Sequence, residues 1–130
     1  MKFLQPPDWP RPNGYSNGVA TKGNLVFLSG IVGWNAQGEF ESSGFTAQVR
    51  QSLLNIVEIL KQANAKPEHI ARMTWYVLDK NEYLAAAKEV GEVYREIIGR
   101  HYPAMTVVQV SGFLEAKARV EIEVTAVVPE

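Results

Sequence analysis

Two stretches of this chain combine residue types and spacings that could do chemistry. The first is "ARVEIEVTAV". If it is a strand, Arg119, Glu121, Glu123 and Thr125 share one face, and Val120, Ile122, Val124 and Ala126 share the other. A carboxylate such as Glu121 at the mouth of an oligomer cleft can act as a base or orient a water. The same row is equally a solvated face with a surface ion pair of little energetic weight. The second stretch is "FLSGIVG". Ser29 points to the side of Phe27, among apolar groups, and Gly30 would let a ligand approach backbone N–H groups closely. A glycine that merely bends a strand end is the competing reading. Tyr15 in "NGYSNGV" offers either a phenol hydroxyl or an aromatic anchor.

A third location is a hinge, "GRHYPAMTVVQVS", where a helix-like run ends at Pro103 and a β-branched run begins. Met105 sits at the hinge. Small-molecule sites are often built at such junctions, yet methionine brings no charge and only a weak acceptor.

Other chemistries find no support. The chain has no cysteine, which removes thiolate catalysis and disulfides. His69 and His101 are its two histidines, without metal-ligand spacing, so no metal site and no cofactor are expected. His101, near a helix end, reads as a cap charge. Neither a G-x-S-x-G elbow, a phosphate loop nor a dinucleotide fingerprint is present. The net charge of −1 and the lack of a basic stripe argue against a nucleic-acid partner. No apolar run approaches the ~18 residues of a membrane helix, and "MKFLQPPDWPRP" is too short and proline-rich for a signal peptide. The expectation is a cytoplasmic protein without a membrane partner.

The elements that must position these residues follow from periodicity. With 130 residues, 46% hydrophobic and 21% charged, the chain suits one domain spanning 1–130. Residues 1–17 read as an extended arm. Val19–Thr21 and Leu25–Ile31 flank Lys22-Gly23-Asn24 and predict a hairpin. Val49, Leu53, Ile56, Leu60 and Ala63 form a helical stripe, with Ser42 or Ser43 as N-cap. "ARMTWYVL" is a strand. Asp79 and Glu82 suggest a variant capping box for a second helix whose stripe is Leu84, Ala87, Gly91, Tyr94 and Ile98. "TVVQVS" and "KARVEIEVTAVV" are the last strands, and Glu39–Phe40 is a candidate extra one. The order β-β-α-β-α-β-β implies an α+β fold, one mixed sheet with two helices on one face.

Leu25, Phe27 and Ile31 should point to one side, Val26 and Leu28 to the other; Met73, Trp75 and Val77 should oppose Thr74, Tyr76 and Leu78. Both faces are then largely apolar, and two helices cover only one. Each large apolar side chain left in water forgoes ~1.5–3 kcal/mol. A homo-oligomer packed through the second face, or the arm folded over it, would remove that patch.

Taken together, "YSNGV" (15–19), "NLVFLSGIVG" (24–33), "QSLLNIVEILKQANA" (51–65), "MTWYVLD" (73–79), "YPAMTVVQV" (102–110) and "VEIEVTAV" (120–127) resemble, in order, blocks of the RidA (YjgF/YER057c) family of reactive-intermediate deaminases. The resemblance implies a chorismate-mutase-like fold, a homotrimer with small-molecule clefts between subunits, and hydrolysis of enamines and imines such as 2-aminoacrylate to a keto acid and ammonia. It implies that Glu121 orients the attacking water, that Tyr15, Ser29 and Gly30 are cleft positions, and that Thr106 presents its backbone there. It also exposes a departure. Met105 stands where deaminating members carry the arginine that holds the substrate carboxylate, Val107 where a cysteine is frequent, and Gly91 where an asparagine is common. Losing a guanidinium fork forgoes ~3 kcal/mol of transition-state binding, roughly a hundredfold in rate. Short 2-imino acids become poor substrates unless Arg119 or Arg100 supplies a displaced cation. The alternative is a non-catalytic trimer that binds or senses a small metabolite. Ribonuclease activity, once ascribed to some relatives, fits the charge poorly.

Overall fold

The computed structural model describes residues 1–130. Seven strands and three helices follow one another as β1 (Lys2–Leu4), β2 (Gly18–Ala20), β3 (Asn24–Phe27), β4 (Ile31–Val32), α1 (Phe45–Lys61), β5 (Ile70–Val77), α2 (Lys80–Ala85), α3 (Ala87–Ile97), β6 (Ala104–Gln109) and β7 (Val120–Val128), with a 3-10 turn over Pro67–His69. The fold is α+β, as the sequence predicts. The main sheet runs β3-β7-β5-β6, with β4 also on β7; β5 and β6 are parallel and the other pairs antiparallel.

The core lies between one face of this sheet and the helices. Val49, Leu53, Ile56 and Leu60 of α1 are fully buried, and they meet Met73, Trp75 and Val77 of β5 and Val120, Ile122, Val124 and Ala126 of β7. The α1 stripe therefore does what its spacing predicts, except at Ala63, which lies beyond the helix and is exposed. Its cap differs. Gly44 is the N-cap, and Ser42 Oγ accepts from the Gly44 N–H one step earlier, in a side-chain turn that leads the chain in.

Several expectations need correction. The predicted hairpin does not form. β2 pairs with β1 in a separate two-stranded sheet, whereas β3 joins β7. The intervening Gly23 (φ +149°) crosses the end of β7, where a Cβ would come within 2.9 Å of the Val128 carbonyl carbon. The second helix is broken at Ala86 (φ −95°, ψ 7°), which ends α2 and starts α3. The break rotates the buried stripe onto Val90, Val93, Tyr94 and Ile98 and leaves Leu84 exposed. Asp79 accepts from the Asn81 N–H as an N-cap, but Glu82 closes no box and turns to Arg119. Residues Asn35 to Glu39 form a turn held by the Asn35 side chain, with no strand at Glu39–Phe40. His101 caps no helix; its Nε2 lies 2.6 Å from the Ile70 carbonyl.

The strand read as Leu25–Ile31 splits in two. Phe27 pairs with Thr125 and Ile31 with Ile122, so four steps along one strand meet three along the other. That extra residue is a β-bulge at Leu28–Gly30. It reverses the phase, and Ile31 packs against the core instead of sharing the side of Leu25 and Phe27.

The arm does not fold over the open face of the sheet. Leu25 is 61% exposed and Phe27 72%. The arm instead clips to the edge of β6. The Ser16 N–H donates to the Pro103 carbonyl (3.0 Å), Ser16 Oγ donates to the Tyr102 carbonyl, and Ser16 bridges Ala104 in parallel.

Candidate functional site

The sheet register separates the predicted site residues into two groups on opposite faces. Met105 and Val107 lie beside Met73 and Trp75 in the β5–β6 register, so they face the helices and touch the core. Glu121 lies beside Tyr76, in alternation with buried Val120 and Ile122, and so faces the open side. Thr106 pairs with Thr74 and is exposed on that open side, opposite to Met105. Its side chain is therefore directed away from the Met105 cavity.

On the open side, α1 builds the position of Ser29 and Gly30. Buried Ser52 donates to the Ile31 carbonyl (2.8 Å), and Asn55 Nδ2 donates to the carbonyls of Val32 (3.2 Å) and Trp34 (2.8 Å). Gly33 lies against α1 so closely that a Cβ would sit 2.8 Å from Gln48 Cα. These contacts fix the segment just past the bulge. Gly30 then lies over the Glu121 side chain: a Cβ there would overlap Oε2 and come within 2.9 Å of Cγ. The Glu121 carboxylate forms no ion pair, so its oxygens are not committed to a cation. Neighbouring Tyr76 donates to Glu123 Oε1 (3.3 Å), and the negative charge of Glu123 holds the Tyr76 hydroxyl above the ordinary phenol range. It remains a neutral donor next to the two acids.

The ordering of Glu121 by Gly30 gives a direct expectation. Gly30→Ala pushes on the free end of a flexible side chain, so the melting temperature falls by no more than about 3 °C. The carboxylate must move by about an ångström, and turnover of any substrate that uses it falls roughly a hundredfold. Thermal melts and steady-state rates on the same preparation check both parts.

On the helix side, a cavity of about 540 Å³ opens between α3, β6 and the arm. Tyr15, Trp75, Tyr83, Tyr94, Met105 and Val107 are among its walls. The Ser16 clip on β6 holds Tyr15 at this rim. Trp75 and Tyr83 meet edge to face at 6.3 Å, and Tyr94 stacks on Tyr102 at 5.7 Å. Burial raises the Tyr83 and Tyr94 hydroxyls above the usual range, with Tyr102 adding to the effect at Tyr94, so both stay protonated. Tyr94 donates to the His101 carbonyl (2.6 Å), which ties α3 to the hinge before β6. The cavity is thus aromatic and apolar with hydrogen-bond donors.

The geometry answers the question of a displaced cation at Arg119. Its Nε donates to both oxygens of Glu82 (2.7 and 2.9 Å), and that hydrogen bond raises its pKa further. It pairs with α2 rather than with Glu121 or Glu123, and it does not line the Met105 cavity; neither does Arg100. No cluster of His, Cys, Asp and Glu is arranged to hold a metal ion. No helix is long and apolar enough to cross a membrane.

A sequence model of the family described as "Endoribonuclease L-PSP" matches residues 9–128. The chain belongs to this family, that of the RidA (YjgF/YER057c) proteins. Among RidA-family relatives, a RutC family protein of Aquifex aeolicus is 35% identical over 98% of this chain and 99% of its own. The 2-iminobutanoate/2-iminopropanoate deaminase of the goat, Capra hircus, is 33% identical over 87% of this chain and 79% of its own. Among solved structures, the Rid-family protein YyfB from Yersinia pestis, of unknown function, superposes with a TM-score of 0.83 at 28% identity, covering 98% of each chain.

Sequence reasoning missed several residues that shape this RidA-family site. Ser52 and Asn55 lie on a helix beside apolar neighbours and look like ordinary polar positions. Gln48 is 1% exposed and satisfies three backbone groups, yet nothing in its spacing marks it. Arg95 lines the cavity from α3. Its one visible signal is its place four residues after Gly91, on the same helix face.

Proposed function

We propose that this RidA-family protein works as a homotrimer that hydrolyses enamine or imine intermediates to a carbonyl compound and ammonia in clefts between subunits. The observation that carries the reading is the opposite facing of the two half-sites. Tyr15 and Met105 line a cavity on the helix side, whereas Glu121 lies against Gly30 on the open side of the same sheet, one residue from exposed Ser29. One copy cannot bring them together; the cavity of one copy against the open face of the next can. Exposed Leu25, Phe27 and Val108 on that open face give the contact its apolar area.

In this cleft Glu121 accepts a proton from water as the water oxygen adds to the C=N carbon. Glu121 returns that proton to the nitrogen, which gives the carbinolamine; the hydroxyl proton then passes to the nitrogen in the same way as the C=O bond forms and the C–N bond breaks, releasing ammonia. Ser29, Gly30 and the backbone at Thr106 orient the substrate, and Tyr15 closes the rim. Met105 offers no charge to a carboxylate at the β6 position, so 2-imino acids too short to reach a cation elsewhere in the cavity are weak substrates. The family resemblance to deaminases of 2-iminobutanoate and 2-iminopropanoate supports the reaction class. The "endoribonuclease" description of the family does not carry over easily: a chain of net charge −1 lacks the cationic track that RNA binding demands.

Freshly generated 2-aminoacrylate tests the reading. The wild-type protein should release ammonia only slightly faster than the uncatalysed reaction, and Met105→Arg should raise the rate by roughly a hundredfold. Fast wild-type turnover would refute the importance given to Met105. The apolar walls of the cavity favour one second reading, a non-catalytic carrier or sensor of an apolar metabolite. A panel of imines without turnover, together with one ligand that raises the melting temperature, would select it.

A further inference from the structure

We propose that Arg95 is the anion anchor of the cavity, supplied from helix α3 in place of a cation on β6, and that the preferred ligand is a carboxylate carrying an aromatic or branched apolar group. The inference rests on the reading of this cavity as half of an imine-hydrolysing cleft.

Three observations converge. First, Arg95 lines the cavity and its guanidinium lies over Gly91: a Cβ at that position would sit 3.2 Å from Nη1 and 3.8 Å from Nη2. The missing side chain at Gly91 therefore makes the space that the guanidinium occupies, one turn along the same helix. Second, Arg95 has no acidic partner. The ion pairs of the chain are Arg50–Glu96, Lys61–Glu58 and Arg119–Glu82, and no Asp or Glu lines the cavity. Its fork is free for a carboxylate, which matches it in shape as well as charge. Third, Trp75, 2% exposed, lines the same cavity, and its Nε1 is buried without a hydrogen-bond partner. An indole N–H only donates, so this lining residue carries a donor that the protein itself leaves unsatisfied, at a cost.

The cavity thus presents donors and positive charge at its lip and aromatic carbon within. A volume of about 540 Å³ is generous for a three-carbon acid and suits one with a ring or a branched chain. Met105 fits the same logic. It trades a cation on β6 for apolar surface that packs against the ligand body. Lys88 also lines the lip, but nothing in the fold clears space for it as Gly91 does for Arg95.

Binding of stable keto acids separates this assignment from the catalytic reading. By isothermal titration, wild-type protein should bind phenylpyruvate about tenfold more tightly than pyruvate, and about tenfold more tightly than phenylacetone, which lacks the carboxylate. Arg95→Gln, an exposed substitution, should lose about tenfold for phenylpyruvate and leave phenylacetone unchanged. Arg95→Lys should recover part of the loss, and Met105→Arg added to Arg95→Gln should restore binding of the acid. Equal binding of phenylpyruvate by Arg95→Gln and wild type overturns the proposal. So does a loss that follows Lys88→Gln instead, or no binding of any acid. Arg95-dependent binding without turnover of any imine leaves the anchor standing and removes the catalytic reading. Fast imine turnover that Arg95→Gln leaves unchanged does the reverse.

Discussion

Glu121→Gln should reduce imine hydrolysis by ~10²- to 10⁴-fold, the range of a positioned general base, while barely changing the melting temperature. The substitution keeps the side-chain length, and the amide can still lie under Gly30. What disappears is an oxygen basic enough to take a proton from water. Glu121 has no ion-pair partner to be stranded by its neutralisation, so the folded state loses little. Steady-state rates on a substrate that the wild type turns over, measured beside thermal melts, check this. A Glu121→Gln variant with wild-type rates would remove the proposed role of the acid, whatever the substrate. A matched fall in rate and melting temperature would instead mark Glu121 as structural.

The second large effect concerns stability. Gln48 is buried in α1, and its Nε2 donates to the carbonyls of Ser42 and Lys117 (both 3.0 Å) while its Oε1 accepts from the Arg119 N–H (2.8 Å). It therefore joins the entry of α1 to the loop before β7. Gln48→Leu keeps similar volume but leaves three backbone groups without their partner, each costing ~1–3 kcal/mol if water cannot reach it. A total near 3 kcal/mol or above lowers the melting temperature of a domain this size by roughly 10–15 °C. Because Arg119 immediately precedes β7, the same change loosens the strand that carries Glu121. A drop of less than about 3 °C would mean that water replaces all three bonds.

How much of this was readable in the sequence depends on whether a residue's role is local. The α1 stripe and the alternation of β5 and β7 are period effects of the chain itself, and Val49, Leu53, Ile56, Met73, Trp75 and Ile122 lie where those periods put them. The pairing of β3 was not local. Val19–Thr21 looks like its hairpin partner, yet β7 takes β3 and β1 takes β2, because pairing is decided by which apolar strand lies beside it in space. The phase of Ile31 was lost for a related reason: one extra residue at Leu28–Gly30 leaves no compositional mark except Gly30. The helix break at Ala86 carries no proline or glycine, so nothing announces it.

The candidate site shows the same division. Glu121, Ser29, Gly30, Tyr15 and Met105 stand out by type and by the blocks they occupy. That they fall on two faces of one sheet follows only from the β5–β6 and β5–β7 registers. Arg95 escaped notice because its relation to the cavity passes through an absence, the side chain that Gly91 lacks.

The Ser16 bridge on Ala104 has a further consequence. β6 is the outermost strand on its side, and the bridge closes its first residue with the chain's own backbone. On the opposite border, the irregularity after Phe27 divides the rim into a run of four residues and a run of two. The β3–β4 border therefore offers no long straight ladder of unpaired amides, whereas on β6 the bridge covers the first of six residues and sets where an added strand could begin. Cross-strand growth is thereby hindered at the β3–β4 border, and at β6 it must start beyond the residue that the arm already occupies as long as residues 1–17 stay attached.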